Sequence, residues 1–469
     1  MKKLFSTLIA ALALTCATAS AQALISSYFL DNSQLRNRLN PAFAPRSNHF
    51  GLPVLSNTGV GLYGNIGPAD FLYPKNGTLY TFLNKNVTVE EFASRLATNP
   101  GLDLDFNTDI LNFGFYTSPG SYWSFDMGLQ LNASVGVPHD LFIFLKQGMS
   151  QASNTYSLSG FNVFADANIY AAIGHSRDLS NLVPGLSVGA KVKFLASLAS
   201  VGMDLGKSSL QLSEDAWKVN VDATGTIAAP YLKMTAPTEA GQLPSFAFDQ
   251  SKISPAGFGF AVDLGAAYRL SVGSVVDGLT FSFSALDLGA IFYKASNVQR
   301  LVSKNSASYV GFNDIAIGED ADFNGMLEGL KNDFLKLADF QEAAAEKMSL
   351  STCPKIYAGV EMPFVHDMMS VGLLYSGKFG RRQAVNELTL SYNLNPCKWF
   401  NLGISWSFLN SWKTLGWVME LTPKAGVSFF IGSDYTFFQV MPTYMLPVDK
   451  VWANARFGLN FTLGSKHCK

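Results

Sequence analysis

The chain has 469 residues, of which 13% are aromatic and only 15% are charged, and its formal net charge at pH 7 is −1. Soluble domains usually carry about 25% charged residues, so this composition argues against an ordinary soluble enzyme and indicates a large apolar surface. The sequence has no basic patch with interleaved aromatic residues, and we therefore do not expect nucleic acid as a partner.

The N-terminus predicts an export signal. A positively charged start, an apolar run at 4–14 and the small-residue site Ala-Ser-Ala at 19–21 follow one another. The apolar run is too short to cross a membrane as a helix, which needs about 20 residues. We expect residues 1–21 to be a cleaved signal peptide. Cys16 allows one alternative, a lipoprotein acylated at that thiol.

Period-2 alternation of side chains is the strongest signal in the chain, and it begins near residue 106. In 123–133 and again in 258–268, aromatic or aliphatic residues alternate with small, mostly uncharged ones. Such alternation predicts β-strands with one apolar face. The polar positions are mainly Ser, Gly, Asn, Thr and Asp, whereas a sheet in water would usually place Lys, Glu and Arg there. We expect a closed barrel, because in lipid every backbone group must be paired.

Fourteen such segments predict an all-β fold, a transmembrane antiparallel β-barrel within residues 106–465. An even number of strands is usual in bacterial barrels, and many of the segments are longer than strands of soluble proteins. The predicted strands are 108–117, 120–136, 161–175, 184–204, 207–228, 256–270, 278–293, 355–363, 368–379, 384–395, 399–409, 412–421, 425–436 and 451–464.

Residues 319–348 break the strand pattern. Apolar residues from Met326 to Phe340 recur at helical spacing among charged ones, which predicts a short helical insertion. The insertion either packs on the barrel rim as a structural loop, or acts as a gate or a partner-docking element.

Five charged residues lie inside predicted strands: Lys191, Lys193, Asp263, Asp287 and Arg456. A Lys or Arg that faces lipid costs about 2–4 kcal/mol at the membrane midplane, so we expect these side chains to face the lumen. There they either form internal salt bridges or contact a substrate.

The sequence predicts no catalytic site, cofactor site or metal site. None of the five histidines stands at zinc-ligand spacing from another histidine or a cysteine. No nucleophile elbow, Walker loop or metalloprotease helix is present. We therefore expect a protein that is not an enzyme.

Several stretches resemble a known family: 26–45, which contains Asn40-Pro41-Ala42, together with 49–55, 70–84, 189–200 and 359–379. They resemble a family of Bacteroidota outer-membrane proteins of unknown function, which is similar in turn to the long-chain fatty acid transporter (FadL-like) barrels. The resemblance implies an N-terminal hatch within residues 22–105, with Asn40, Pro41 and Ala42 in it. Part of that segment, near 51–65, could instead pair into the barrel wall.

The resemblance and the alternation together predict a barrel in the outer membrane of a Gram-negative bacterium, in contact with its lipid. The leading hypothesis is a FadL-like passive channel for small hydrophobic molecules. The alternative is a structural or accessory outer-membrane protein for secretion or surface-protein assembly, which would bind an unknown protein partner.

Overall fold

The repeated alternation of apolar and small polar side chains produces a mostly β-structure, described by a computed structural model. The structure describes residues 23–31, 33–148, 153–213, 216–235, 245–272, 276–309, 340–365, 368–397, 399–408, 414–423, 426–437, 440–441, 446–447 and 450–463. The predicted signal peptide, 1–21, lies outside these residues. Among them, no helix is long and apolar enough to cross a membrane.

The described chain contains long strands and only short helices. The strands are β1 (Asn48–Gly51), β2 (Thr58–Gly64), β3 (Leu72–Lys75), β4 (Thr78–Thr81), β5 (Gly101–Ser118), β6 (Ser121–Gly136), β7 (Ser153–Ser157), β8 (Asn162–Asp178), β9 (Leu186–Leu205), β10 (Ser209–Ser213), β11 (Trp217–Ala228), β12 (Leu232–Thr235), β13 (Ser245–Phe248), β14 (Gly257–Val272), β15 (Val276–Tyr293), β16 (Val298–Tyr309), β17 (Gln341–Ala343), β18 (Met348–Ser351), β19 (Lys355–Phe364), β20 (Met369–Phe379), β21 (Ala384–Cys397), β22 (Phe400–Ser407), β23 (Thr414–Leu421), β24 (Val427–Phe437), β25 (Val440–Met441), β26 (Leu446–Pro447) and β27 (Trp452–Leu463). The α-helices are α1 (Arg36–Leu39), α2 (Pro68–Phe71), α3 (Val89–Arg95) and α4 (His139–Gln147), and single 3-10 turns occupy Ile25–Ser27, Gln250–Lys252 and Ala295–Asn297.

Antiparallel pairing closes these strands into a barrel. The last strand, β27, pairs with β24 on one side and with both β1 and β2 on the other, and β1 and β2 then pair with β5. The wall has fourteen positions, in the order β1 and β2 together, β5, β6, β8, β9, β14, β15, β18 and β19 together, β20, β21, β22, β23, β24 and β27. The prediction of an antiparallel barrel of about fourteen strands is confirmed.

The identity of one wall strand differs from the prediction. Residues 207–228 form β10 and β11, which leave the wall: β11 pairs with the end of β9 and with β16. The missing wall position is filled by β1 and β2, from the segment predicted as a hatch. Alternation reports one apolar face, and it does not distinguish a strand of the wall from a strand of a sheet beyond it.

The predicted hatch, 22–105, divides into three parts. Residues 23–47 lie inside the barrel, 48–64 pair into the wall, and 65–100 lie beyond the end of β2, while β5 already begins at Gly101. The sequence left open that residues near 51–65 pair into the wall, and the structure pairs β2 there. Residues 52–57 interrupt the strand between β1 and β2, and Val54 has a left-handed backbone with φ 65°.

The predicted helical insertion, 319–348, lies mostly outside the described residues. Its described end contains β17 and the first residue of β18, which are strands and correct the helical prediction there. β17 pairs with β16 and β18 pairs with β15. Sheet partners supplied by the rest of the fold outweigh a weak local preference for helix.

The two ends of the barrel differ in their connections. At the short-turn end, wall strands are joined by turns such as 119–120 and 179–185. At the long-loop end the connections include 65–100 and 206–256. A sheet with the order β7, β10, β11, β16 and β17 also stands at the long-loop end, outside the wall ring.

The outer face of the wall is apolar and the inner face is polar. Phe194 and Phe258 are 63% and 62% exposed on the outside. On inward positions, Asp263, Ser284 and Asn401 are buried. This arrangement is that of a membrane-spanning barrel, whose lipid-facing and lumen-facing side chains alternate.

Residues 23–47, which we call the plug, fill much of the lumen. Tyr28 and Phe29 pack against Tyr357 and Leu374 of the wall, and Leu24 packs in a second cluster with wall residues. Each large side chain that is fully buried in this way contributes about 1.5–3 kcal/mol. The plug is therefore a packed element and not a loosely held tail.

Glycines on the inner wall make room for the plug. A Cβ atom on Gly265 would lie 2.1 Å from Asn40 Oδ1, and one on Gly189 would lie 2.1 Å from the carbonyl oxygen of Pro41. On the other side of the barrel, a Cβ on Gly372 would lie 2.3 Å from the Phe29 ring. The inner wall therefore fits the plug because glycines, which have no side chain, stand where the plug makes contact.

We predict that Gly265→Ala displaces the plug. The added methyl group overlaps Asn40 inside a rigid wall, and overpacking of this kind usually costs about 1–3 kcal/mol. The matched control is Gly202→Ala in β9, where the nearest heavy atom would be 3.6 Å away, on Phe164. Urea unfolding in detergent should show a lower midpoint for Gly265→Ala alone. Equal midpoints for the two variants would contradict the fit.

Candidate functional site

The predicted Asn40-Pro41-Ala42 sequence forms a buried docking turn. Asn40 is fully buried and has φ −148°, the extended conformation that a following proline favours. Its Oδ1 accepts a hydrogen bond from the Ala42 amide at 2.9 Å. Its Nδ2 donates to the carbonyl oxygens of Ala266 at 3.3 Å and Phe283 at 3.2 Å. One side chain therefore holds the turn in shape and joins it to two wall strands.

Wall hydroxyl groups hold the backbone on both sides of this turn. Ser176 Oγ donates to the carbonyl oxygen of Pro41 at 2.5 Å, and Ser284 Oγ donates to that of Leu39 at 2.6 Å. These hydroxyls satisfy carbonyl groups that a short segment inside a barrel has no ladder to pair. The small polar residues of the inner face thus serve as hydrogen-bond partners of the plug.

The start of the plug is held by a wall carboxylate. The backbone amides of Ile25 and Ser26 both donate to Asp434 on β24, each at 2.9 Å. Asn454 Nδ2 donates to the same carboxylate at 3.2 Å. Sequence reasoning missed Asp434. The sequence did contain a feature that could have indicated it, because Asp434 is an acidic residue at an inward position of a strand with alternating side chains.

A first ionic cluster joins the plug to the wall. Arg38 lies 2.5 Å from Asp109 and 3.0 Å from Asp126, and Lys191 lies 3.1 Å from Asp126. Asp109 has no exposed surface. Arg38, Asp109 and Asp126 were not predicted as site residues. Arg38 lies in a segment without periodicity, and Asp109 sits at a register shift of β5 where the alternation changes phase.

A second ionic cluster lies wholly on the wall and contains three of the predicted charges. Lys193 Nζ lies 2.8 Å from Asp263 and 2.5 Å from Asp287, and Lys355 lies 2.7 Å from Asp287. At Asp287 the β14–β15 register shifts and the backbone is left-handed, with φ 55°. A β-bulge of this type re-aims a side chain, and such strain concentrates at functional positions.

Arg456, the fifth predicted charge, also lines the middle cavity of the lumen. It is buried, donates to Asn57 Oδ1 at 2.5 Å, and packs over Gly59. Asn57 ends the interruption between β1 and β2, so Arg456 supports the wall where its first strand is broken. The structure therefore brings four of the five predicted charges into two neighbouring clusters and places Arg456 at the break.

Three cavities follow one another along the lumen. The outer cavity, 150 Å³ near the long-loop end, is lined by Phe164, Asp166, Asn168 and Trp452 among others. The middle cavity, 80 Å³, is lined by both ionic clusters and by Arg38 and Leu39 of the plug. Asp287 and Lys355 line both of these cavities. The inner cavity, 300 Å³, lies at the short-turn end, where Arg36 and Phe43 of the plug line it.

Charges of the plug also face the inner cavity. Asp31 forms ion pairs with Arg36 and Arg46. Burial alone would raise the pKa of Asp31, but the two guanidinium groups lower that pKa to about 2. Asp31 therefore stays ionised at physiological pH and holds the two arginines beside the inner cavity.

Within the described residues, no group of three or more His, Cys, Asp or Glu side chains could hold a metal ion. The arrangement that the structure does show is a blocked lumen with polar and ionic contacts at the block.

We predict that Arg38→Met loosens the plug by stranding a buried carboxylate. Removing one partner of a buried ion pair usually costs about 3–5 kcal/mol, because the other charge is left without compensation. The double variant Arg38→Met/Asp109→Asn should recover part of that loss. Single-channel recordings in planar bilayers should show more frequent openings for Arg38→Met than for the native protein or the double variant. Identical closed records for all three would contradict this role.

Comparison with known proteins was made for sequence and for structure. No curated protein matches the sequence. Among solved structures, the chain is similar to the Ralstonia pickettii toluene transporter TbuX, with 8% identity, a TM-score of 0.42, and 96% of this chain and 100% of that chain covered. It is also similar to a Pseudomonas aeruginosa FadL homologue, with 12% identity, a TM-score of 0.38, and 95% and 98% of the two chains covered.

The comparison with family models gives one assignment. The model of a family of unknown function, DUF5723, matches residues 41–434, which include most of the barrel wall. The chain belongs to this family of unknown function, DUF5723.

Proposed function

We propose that this protein is a passive channel for small hydrophobic molecules in the outer membrane of a Gram-negative bacterium, with the plug as its gate. The observation that carries the proposal is the order of the lumen. An outer and an inner cavity lie at opposite ends, and the plug, with the middle cavity above it, stands between them.

Turn length supports an orientation for the channel. Bacterial barrels usually have short periplasmic turns and longer extracellular loops. The short-turn end and the inner cavity would then face the periplasm, and the outer cavity would face the cell exterior. A molecule would pass from the outer cavity through the charged middle cavity to the inner cavity once the plug moves.

The attachment of the plug to the wall allows the plug to move as a gate. Covalently, it continues into the wall at β1, at the short-turn end. Elsewhere it is held by side-chain contacts such as those of Asn40, Arg38 and Asp434. Contacts of this kind can be exchanged for others without breaking any strand ladder, so the plug can move while the wall stays closed.

A ligand opens such a gate only if it binds the open state better than the closed one. Moving a two-state equilibrium from 1:99 to 99:1 needs about 5.5 kcal/mol of differential binding. The lining of the outer cavity supplies apolar surface for this purpose, including Leu195, Ile291 and Phe379. A small hydrophobic molecule bound there would open the gate if it gained further apolar contacts once the plug had moved.

Transport is tested by uptake into vesicles with a lipopolysaccharide outer leaflet, which slows the passive entry of lipophiles. We expect the native protein to speed entry of small aromatic hydrocarbons, and a variant lacking residues 23–44 to admit polar solutes of similar size as well. The Gly202→Ala variant is the matched control and should behave as the native protein. Entry equal to that of empty vesicles, with or without the plug, would refute the channel.

A second candidate function, a structural or accessory role in assembling other proteins, is supported by the architecture at the long-loop end. The extra sheet there is not needed to close a pore. Nearby, Phe246 and Ile253 are 62% and 65% exposed. Exposed apolar side chains grouped at one end of a protein mark interaction sites more often than an isolated one does.

This second candidate predicts a partner that co-purifies from membranes and is lost in the variant Phe246→Ser/Ile253→Ser. The matched control is Leu182→Ser, which changes an apolar side chain that is 78% exposed in a turn at the short-turn end. The control should retain the partner, because it leaves the long-loop end unchanged. A partner that stays bound to both variants, or a native protein that purifies alone, would count against this role.

A further inference from the structure

The outer cavity contains a grid of hydrogen-bond acceptors. Strand register sets Asp105 opposite Asn132 and Asn132 opposite Asp166, and the next inward position of β8 is Asn168. Aromatic and aliphatic side chains complete the apolar part of the lining: Tyr63, Phe164, Leu195, Ile291, Phe379 and Trp452. The cavity therefore combines a polar edge with apolar surface, which a pure hydrocarbon does not require.

Two acceptors of this grid are left without partners. Asp166 Oδ1 and Asn168 Oδ1 have no hydrogen-bond partner among the described residues, although Asp166 is only 6% exposed and Asn168 only 3%. The amide donors close by are already used, because Asn132 and Asn168 both donate to the other oxygen of Asp166. These two oxygens therefore lack hydrogen-bond donors. An unpaired buried acceptor is unfavourable, so a ligand that supplies donors would be stabilised here.

Most charged groups around the cavity have partners, and the cation nearest to Asp166 is Arg381, which lies 4.0 Å from Asp166 Oδ2 and 3.9 Å from the centroid of the Phe164 ring. Asp103 pairs with Arg382 at 2.7 Å, and Asp287 is held by Lys193 and Lys355. The ammonium group of Lys378 lies over the rings of Tyr63 and Tyr435, 5.1 and 6.0 Å from their centroids. A ligand with a net charge would have to displace one of these pairings, so the lining favours a neutral ligand.

The volume of the outer cavity restricts the class of ligand further. The cavity measures 150 Å³, similar to engineered cavities of about 150 Å³ that bind benzene. A sugar, which carries hydroxyl groups around its whole ring, would place some of them against the apolar side chains of the lining, where their burial is unfavourable. A single aromatic ring fits the volume, packs on the aromatic lining, and can carry donors on one edge.

We propose that the outer cavity binds a small neutral aromatic ligand with hydroxyl donors on one edge, of the phenol or catechol class. The hydroxyl groups donate to Asp166 and Asn168, and the ring packs against the aromatic side chains. This inference rests on the proposed channel and names its substrate class. It separates this lumen from one that accepts hydrocarbons for their apolar surface alone.

The test compares catechol with o-xylene, which has nearly the same shape but carries methyl groups in place of hydroxyls. Binding to the full-length protein in lipid nanodiscs is measured by calorimetry, with empty nanodiscs subtracted. We expect catechol to bind about ten- to a hundredfold more tightly, because it alone pairs the buried acceptors. Binding of o-xylene with equal or higher affinity, or no binding of either compound, would overturn the proposal.

A variant locates the site. Asn168→Leu removes one of the unpaired acceptors and should weaken catechol binding at least about tenfold, while o-xylene binding is unchanged or stronger. The matched control is Asn393→Leu, another buried asparagine with an unpaired Oδ1, which lies outside the lining of the outer cavity. Catechol affinity that survives Asn168→Leu overturns the site. If that variant does not fold, the comparison of the two ligands on the native protein still decides.

The binding test is independent of transport. Catechol that binds in nanodiscs but does not enter vesicles faster than through lipid alone would refute the channel and leave the ligand class standing. Entry of hydrocarbons without any catechol binding would refute the ligand class and leave the channel standing.

Discussion

Inside a membrane no backbone N–H or C=O group can be left unpaired without a cost of several kcal/mol. This constraint determines the rest of the molecule. It requires the strands to close, and β27 closes the ring by pairing with β1 and β2. Closure in turn makes every strand present one face to lipid and one to a lumen. The inner face must then be filled, and here it is filled by a segment of the same chain.

The plug satisfies the same constraint by other means. It has no strand ladder inside the lumen, so its backbone groups pair with wall side chains, as the amides of Ile25 and Ser26 do with Asp434. Glycines such as Gly189 and Gly265 bring wall and plug into contact where any larger residue would overlap. The inner wall is therefore specific for this plug, since its small residues and its hydroxyl groups are placed where the plug needs space and donors.

Local pattern predicted the fold well and the plug contacts poorly. Alternation depends on neighbours within a strand, so segments such as 123–133 and 258–268 could be recognised as strands from the sequence alone. The wall position of β1 could not be recognised, and that of β2 was only an alternative, because residues 52–57 break the pattern. The contact between Arg38 and Asp109 could not be predicted either, for a different reason. These residues are 71 positions apart, and only the closed barrel brings them together.

The predicted strand charges illustrate the limit of such reasoning. Lipid energetics required that Lys191 and Lys193 avoid the outer face. The structure buries Lys191 and partly buries Lys193, each beside an aspartate. Which aspartate pairs with which lysine depends on strand order and on the bulge at Asp287, and neither is encoded within a single strand. Residues 207–228 are a second example. Their alternation predicted a wall strand, and only the pairing of β11 with β16 shows that this hairpin lies outside the wall.

The charge balance of the middle cavity bears on how the plug can leave. With the plug in place, Arg38 is a fifth cation beside eight neighbouring wall charges, which are the cations Lys191, Lys193, Lys355 and Arg456 and the anions Asp109, Asp126, Asp263 and Asp287. When the plug withdraws, Asp109 loses its cation but Arg456 is close by, and water entering the lumen raises the local dielectric and weakens every stranded interaction. Without Arg38 these eight wall charges balance, and the electrostatic cost of moving the plug away from them falls on the contacts of Arg38 with Asp109 and Asp126. If the plug is the gate, as proposed, the contacts of Arg38, the docking turn and the apolar packing of Tyr28 and Phe29 would together hold the closed state.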